Sequence, residues 1–168
     1  PLFNVKEMVR LLKEVKSSIT VFPELGVTAY TCNDLFFQES LLQDTKKAIR
    51  FLLDNNHAKG IVVFGAPLEV SGVLYNCAFV VSGKDILGIV PKYYLPNTGE
   101  FYEKRWFQSG FDIVNEVTSI QYFGNDIPFG NLVFESNDQE VTFGIEICED
   151  MWAPISPGNI LAINGAKM

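Results

Sequence analysis

Gly144-Ile145-Glu146-Ile147-Cys148-Glu149-Asp150-Met151-Trp152 is the stretch on which the reading of this chain turns. Val141, Phe143, Ile145 and Ile147 alternate up to the cysteine, the period of a strand with one buried face, and the chain then turns polar. A cysteine kept for packing usually sits inside an apolar run. One at the end of the run is held by the strand while its sulfur reaches a cleft, where deprotonation makes it a nucleophile.

Two other segments have this form. Ile19-Thr20-Val21-Phe22-Pro23 runs into Glu24, and Ile86-Leu87-Gly88-Ile89-Val90-Pro91 runs into Lys92. In each, a proline that cannot donate to a ladder precedes the polar residue, so pairing is expected to stop there. A carboxylate, an ammonium and a thiol thus stand just past three expected strand ends, where ligands gather in layered α/β folds. Taken singly, each has a plain structural reading as a solvated or packing residue. Together they can supply a base, an oxyanion stabiliser and a nucleophile.

The composition narrows the classes. A chain of 168 residues is one domain or part of one, and 48% hydrophobic content supports a substantial core. A net charge of −7 without a Lys/Arg cluster argues against nucleic acid or an anionic membrane as partner. No apolar stretch reaches the length of a membrane span. Three irregularly spaced cysteines make no disulfide framework and suit a reducing, cytoplasmic setting. One histidine, His57, with no Cys/His pair argues against a zinc site, and no metal site is expected.

Along the chain, Asn4 is placed to cap a first helix with Glu7, and Phe3 with Met8 to staple it. Val5, Met8, Val9, Leu12 and Val15 form its apolar stripe. A strand is expected over 19–22, a second helix over 40–56 and a strand over 61–65. A hairpin is expected over 73–90 with Ser82-Gly83-Lys84-Asp85 at its turn. Residues 93–128 read as loop-rich. A second hairpin joins 130–135 to 140–147 through Ser136-Asn137-Asp138-Gln139, and Ser156-Pro157 opens a final helix to about Ala166. The order implies an α/β fold with a mixed sheet, and both ends read as cuts through a larger domain. Cys77 reads as packing and His57 as surface; Trp106 and Trp152 are equally suited to lining or underpinning a site.

Phe22-Pro23-Glu24-Leu25, Val90-Pro91-Lys92 and Ile147-Cys148-Glu149-Asp150 resemble the three catalytic segments of the nitrilase (carbon–nitrogen hydrolase) superfamily. The runs Leu25–Phe36, Leu95–Asn97, Glu100–Phe107 and Cys148–Pro154 are similar to the glutaminase domains of glutamine-dependent NAD synthetases. The resemblance covers 1–168 as one partial glutamine amidohydrolase domain. It implies a four-layer α-β-β-α sandwich and hydrolysis of glutamine to glutamate and ammonia. The ammonia would serve a separate synthetase domain that amidates nicotinic acid adenine dinucleotide with ATP and magnesium; no cofactor is implied in the glutaminase domain itself.

By the same resemblance, Cys148 is the nucleophile, Glu24 the general base and Lys92 the oxyanion stabiliser, with the Glu149 backbone N–H as second donor. Glu100 matches a further glutamate that positions the lysine and substrate. Thr98 stands in the glutamine pocket where many members have tyrosine. Lys92 is expected to favour the Cys148 thiolate. Homo-oligomerisation is implied. Two alternatives stay open: a stand-alone carbon–nitrogen hydrolase of ω-amidase or carbamoylase type, and a non-catalytic interaction module on the same fold.

Overall fold

In the computed structural model, which describes residues 1–113, 118–137 and 140–168, the centre of the molecule is a mixed four-stranded sheet. β1 (Ile19–Val21) pairs in parallel with β2 (Ile61–Val70), and β2, β3 (Val73–Ser82) and β4 (Asp85–Pro91) run on as an antiparallel meander. The β3–β4 turn is Gly83-Lys84, as the sequence implies, with Gly83 at φ +56°. β2 runs five residues past its expected end. Pro67 is tolerated there because β1 reaches only Val63, so at Pro67 the strand has a neighbour on one side alone. Ser71-Gly72, at φ +53° and +80°, then closes a β2–β3 hairpin with the positive φ pair that a tight right-twisted turn requires.

Alternation along these strands builds two cores. Val62, Phe64, Ala66, Tyr75, Cys77, Phe79, Val81 and Ile89 face α1 (Leu2–Leu12) and α2 (Glu39–Asp54). Val63, Ala78, Val80 and Val90 face the other way, onto Phe134, Phe143 and Ile147. Val5, Met8, Val9 and Leu12 of α1 are buried as the stripe predicts, and α2 buries Ala48, Ile49, Leu52 and Leu53. Asn4, however, does not cap α1. The helix starts at Leu2, Phe3 is exposed, and the Asn4 amide donates to the carbonyls of Gly26 (3.2 Å) and Val27 (3.3 Å). That side chain thus ties α1 to the loop after Glu24.

The stretch expected to be loop-rich carries more structure than its composition suggests. It contains α3 (Glu103–Trp106), a 3₁₀ turn at Gly110–Asp112 and a hairpin of β5 (Ser119–Tyr122) with β6 (Asn125–Pro128). The later hairpin is shorter than expected: β7 (Phe134–Glu135) pairs with β8 (Thr142–Phe143), and Asp138 and Gln139 of its turn lie outside the described residues. Gly144–Ile147 is not in a strand, so the strand expected to carry Cys148 ends early. Ser156 caps α4 (Pro157–Ile163) by accepting from the Asn159 N–H (3.2 Å), and the helix stops three residues before Ala166. No helix among the described residues is long and apolar enough to cross a membrane.

Candidate active site

Lys92 is the first residue past β4, and its parity with Val90 turns it to the face opposite α1 and α2. Asn76 is its cross-strand neighbour; the Lys92 N–H donates to the Asn76 carbonyl at 2.8 Å. The Lys92 side chain is wholly buried. A buried ammonium persists only if its charge is matched. Here Nζ donates to Glu24 Oε1 at 2.6 Å and to Glu103 Oε1 at 2.7 Å. Burial works against the charge, but the two carboxylates outweigh it and hold Lys92 above its ordinary range. Lys92 is therefore a fixed cation.

Glu24 follows β1 through Phe22, whose N–H still bonds the Val63 carbonyl at 2.8 Å, and Pro23, where the pairing ends. The chain then turns through Leu25 at φ +50°, pressed against Gly65 of β2. Glu103 opens α3 and is buried. Besides Lys92 it accepts from the Tyr30 hydroxyl (2.8 Å) and the Asn76 amide (3.4 Å), while the same Asn76 nitrogen donates to Glu24 Oε1 at 2.7 Å. Burial pushes the Glu103 carboxyl up, against the pull of Lys92. Tyr30 is also pushed up, by burial first and then by its bond to Glu103.

Cys148 starts a 3₁₀ turn, Cys148–Trp152, at φ +50°. Holding a non-glycine residue in this left-handed region costs about 1–2 kcal/mol. Asp150 holds the turn in place. Its Oδ2 accepts from the Ile147 N–H (3.1 Å), and its Oδ1 accepts from the N–H groups of Tyr93 (3.1 Å) and Tyr94 (2.7 Å). The buried Asp150 carboxylate therefore joins the loop after Lys92 to the turn bearing Cys148, a structural tie rather than a mere strand end. Cys148 is exposed and lines a cavity of about 270 Å³ with Glu24, Asn76, Phe22, Ile145 and Ile147.

The thiol does not behave as the sequence suggests. Burial raises its pKa and Lys92 lowers it, but Glu24 and Glu103 raise it again, and the sum lies above the ordinary value. Lys92 favours the thiolate, as expected, but burial and then the two carboxylates outweigh it. The Glu149 backbone N–H, beside the sulfur, opposes the rise.

Of the expected site residues, Glu24, Lys92 and Cys148 converge, and Glu149 lies beside them half-buried. Thr98 and Glu100 do not join them: both are exposed, and neither lines the cavity. The second carboxylate against Lys92, beside Glu24, is Glu103, three residues on from Glu100 and turned inward by α3. Trp106 packs on Phe36 and Trp152 is exposed. Arg105 grips Asp34 through two bonds, of 2.7 and 2.8 Å, clamping the Tyr30–Phe37 segment to α3. Asn76, Tyr30 and Glu103 were missed. The strand parity shared by Asn76 and Lys92 could have found the first. Among the described residues no group of three or more His, Cys, Asp or Glu is placed to hold a metal ion.

Residues 2–167 match the carbon-nitrogen hydrolase family. A glutamine-dependent NAD(+) synthetase of Mycobacterium tuberculosis is 36% identical over 98% of this chain, and one of Oryza sativa subsp. indica is 30% identical over 98%. The chain spans about a quarter of the length of these curated relatives, 24% and 23% respectively. The solved glutamine-dependent NAD+ synthetase of Acinetobacter baumannii superposes with a TM-score of 0.77 at 29% identity, covering 98% of this chain and 28% of that one. An amidase of the nitrilase superfamily from Nesterenkonia AN1 shares the fold, with a TM-score of 0.70 at 16% identity over 99% of this chain and 58% of its own. This chain belongs to the carbon–nitrogen hydrolase family.

Proposed function

We propose that the chain is the glutaminase part of a glutamine-dependent NAD synthetase. The observation that carries this is the buried Lys92 held between Glu24 and Glu103 beside the cavity that exposes Cys148. An amide is a poor electrophile, so its hydrolysis needs a strong nucleophile and charge stabilisation together. Glutamine is the proposed substrate because the NAD synthetases that this chain resembles are named for their dependence on it.

Cys148 Sγ attacks the side-chain carbonyl carbon of glutamine as Glu24 takes the thiol proton. Burial first, and then Glu24 and Glu103, hold the thiol above its ordinary range, so a base acting at the moment of attack is required. The oxyanion lies between Lys92 Nζ and the Glu149 N–H; losing one such donor costs about 2.7–4 kcal/mol of barrier. Glu24 returns its proton to the nitrogen, the C–N bond breaks, and ammonia leaves a γ-glutamyl thioester. Water then attacks with Glu24 again as base, and glutamate departs as the thiol is restored. The ammonia would pass to the synthetase part of a longer protein, where ATP and magnesium support amidation of nicotinic acid adenine dinucleotide.

Treatment with a glutamine-mimicking diazoketone, followed by intact mass and peptide mapping, tests this reading. One adduct is expected on Cys148, blocked by glutamine and lost in Cys148→Ala. An adduct on Cys32 or Cys77, or none on the folded protein, would sink it.

A further inference from the structure

Asn76 is a costly residue in its position. It is 1% exposed on the inner face of β3, and its Oδ1 is buried without a hydrogen-bond partner among the described residues. Leaving such an acceptor unpaired is unfavourable, and a small apolar side chain would avoid the cost. The other half of the amide accounts for its presence. Nδ2 directs one hydrogen to Glu24 Oε1 at 2.7 Å and lies 3.4 Å from Glu103 Oε2. The amide cannot be turned over, because Oδ1 would then face two carboxylate oxygens.

Glu24 Oε1 consequently has two donors, Lys92 Nζ and Asn76 Nδ2, while no donor to Oε2 is found among the described residues. We propose that Asn76 is a positioning residue that pins Glu24 by Oε1 and so reserves Oε2 for proton transfer with Cys148. This rests on the reading of Glu24 as general base. Lys92 alone would give the carboxylate one point of attachment about which it can rotate; the amide, anchored in the strand next to Lys92, fixes the second direction. The ionisable groups around Glu24 are Lys92, Glu103, Tyr30 and Cys148, from β4, α3, the Tyr30–Phe37 segment and the Cys148–Trp152 turn.

The test compares Asn76→Ala and Asn76→Asp in the full-length protein hydrolysing glutamine. In Asn76→Ala, kcat is expected to fall about 100-fold, as misplacement of a reacting group does, with KM changed less than about threefold. The acid limb of kcat/KM moves up by about one pH unit, the shift matching loss of one charge-assisted bond to a carboxylate. It moves further in Asn76→Asp, which adds a like charge. An acid limb that stays in place in both variants would overturn the proposal, because a merely structural role lowers activity without moving it. A second measurement needs neither an Asn76 variant nor activity. The Asn76 side-chain ¹⁵N resonance of the unsubstituted protein is expected to titrate with a carboxylate, and to lose that step in Glu24→Gln. A resonance indifferent to Glu24 overturns the proposal even where the variants do not fold. A titrating resonance in a protein inert toward glutamine upholds it and rejects only the substrate.

Discussion

At the level of single residues, the site is governed by a charge count. Lys92 meets two carboxylates, and their charge adds to burial in holding the Cys148 thiol above its ordinary range against the pull of Lys92. The sign of each change to the thiol follows. Glu24 raises the thiol pKa, so Glu24→Gln lowers it; Lys92 lowers it, so Lys92→Met raises it. The pH dependence of alkylation by iodoacetamide measures this, since only the thiolate reacts. The midpoint is expected to move to lower pH in Glu24→Gln and to higher pH in Lys92→Met. Shifts in the opposite sense would mean that these side chains act on the thiol by placing it and not through their charge.

At the level of elements, what could be read from the sequence depended on how local its cause was. The end of β1, the Gly83-Lys84 turn and the Ser156 cap are fixed by neighbours in the chain, and they stand where the residues imply, whereas β4 runs on through Pro91, which pairs with Cys77, to the Lys92 N–H on the Asn76 carbonyl. Glu24 and Lys92 were legible because each still stands just past a strand end. Glu103 was not, because facing Lys92 depends on the path from Pro96 to Tyr102, which ends when the Glu103 N–H bonds the Pro96 carbonyl at 3.1 Å. Glu100 and Glu103 look alike in sequence until that turn is known. The extension of β2 was hidden by Pro67, whose tolerance depends on how far β1 reaches. One element-level dependence is testable. A Cβ at Gly65 of β2 would lie 2.3 Å from the Leu25 nitrogen and 2.8 Å from Glu24 Cα. Both are backbone atoms, so the Glu24 turn itself must move. Gly65→Ala is expected to lower kcat about 100-fold, as misplacement by roughly an ångström does, and to cost about 1–3 kcal/mol of stability. Glutamine hydrolysis and urea unfolding of the same preparation measure both. Unchanged kcat would show that the position of the turn does not set that of Glu24.

Across the whole molecule, stability and chemistry occupy opposite faces of one sheet. The face toward α1 and α2 is apolar and continuous: Phe64 and Phe79 stack at 5.2 Å with nearly parallel rings, and both are fully buried. The other face carries Asn76 and Lys92 at one end, and its apolar part is covered by the short β7–β8 pair, where Phe134 and Phe143 also stack at 5.2 Å but retain 8% and 7% exposure. A buried phenylalanine cut to alanine costs about 3–5 kcal/mol, through lost transfer energy and the cavity left behind. Phe79→Ala should approach that range, since both its strand neighbours and the helical layer fix the space it leaves. Phe134→Ala should cost less, because a two-residue strand can settle into the gap. Urea unfolding of both variants measures the difference, and iodoacetamide labelling of Cys148 in each reports on the site. Phe79→Ala is expected to lose more stability, with labelling of its folded fraction little changed. Phe134→Ala is expected to alter labelling more, since Phe134 packs in the same apolar cluster as Ile147, next to the thiol. The reverse pattern would mean that the helical face, not the strand pair beside Cys148, holds the thiol in place.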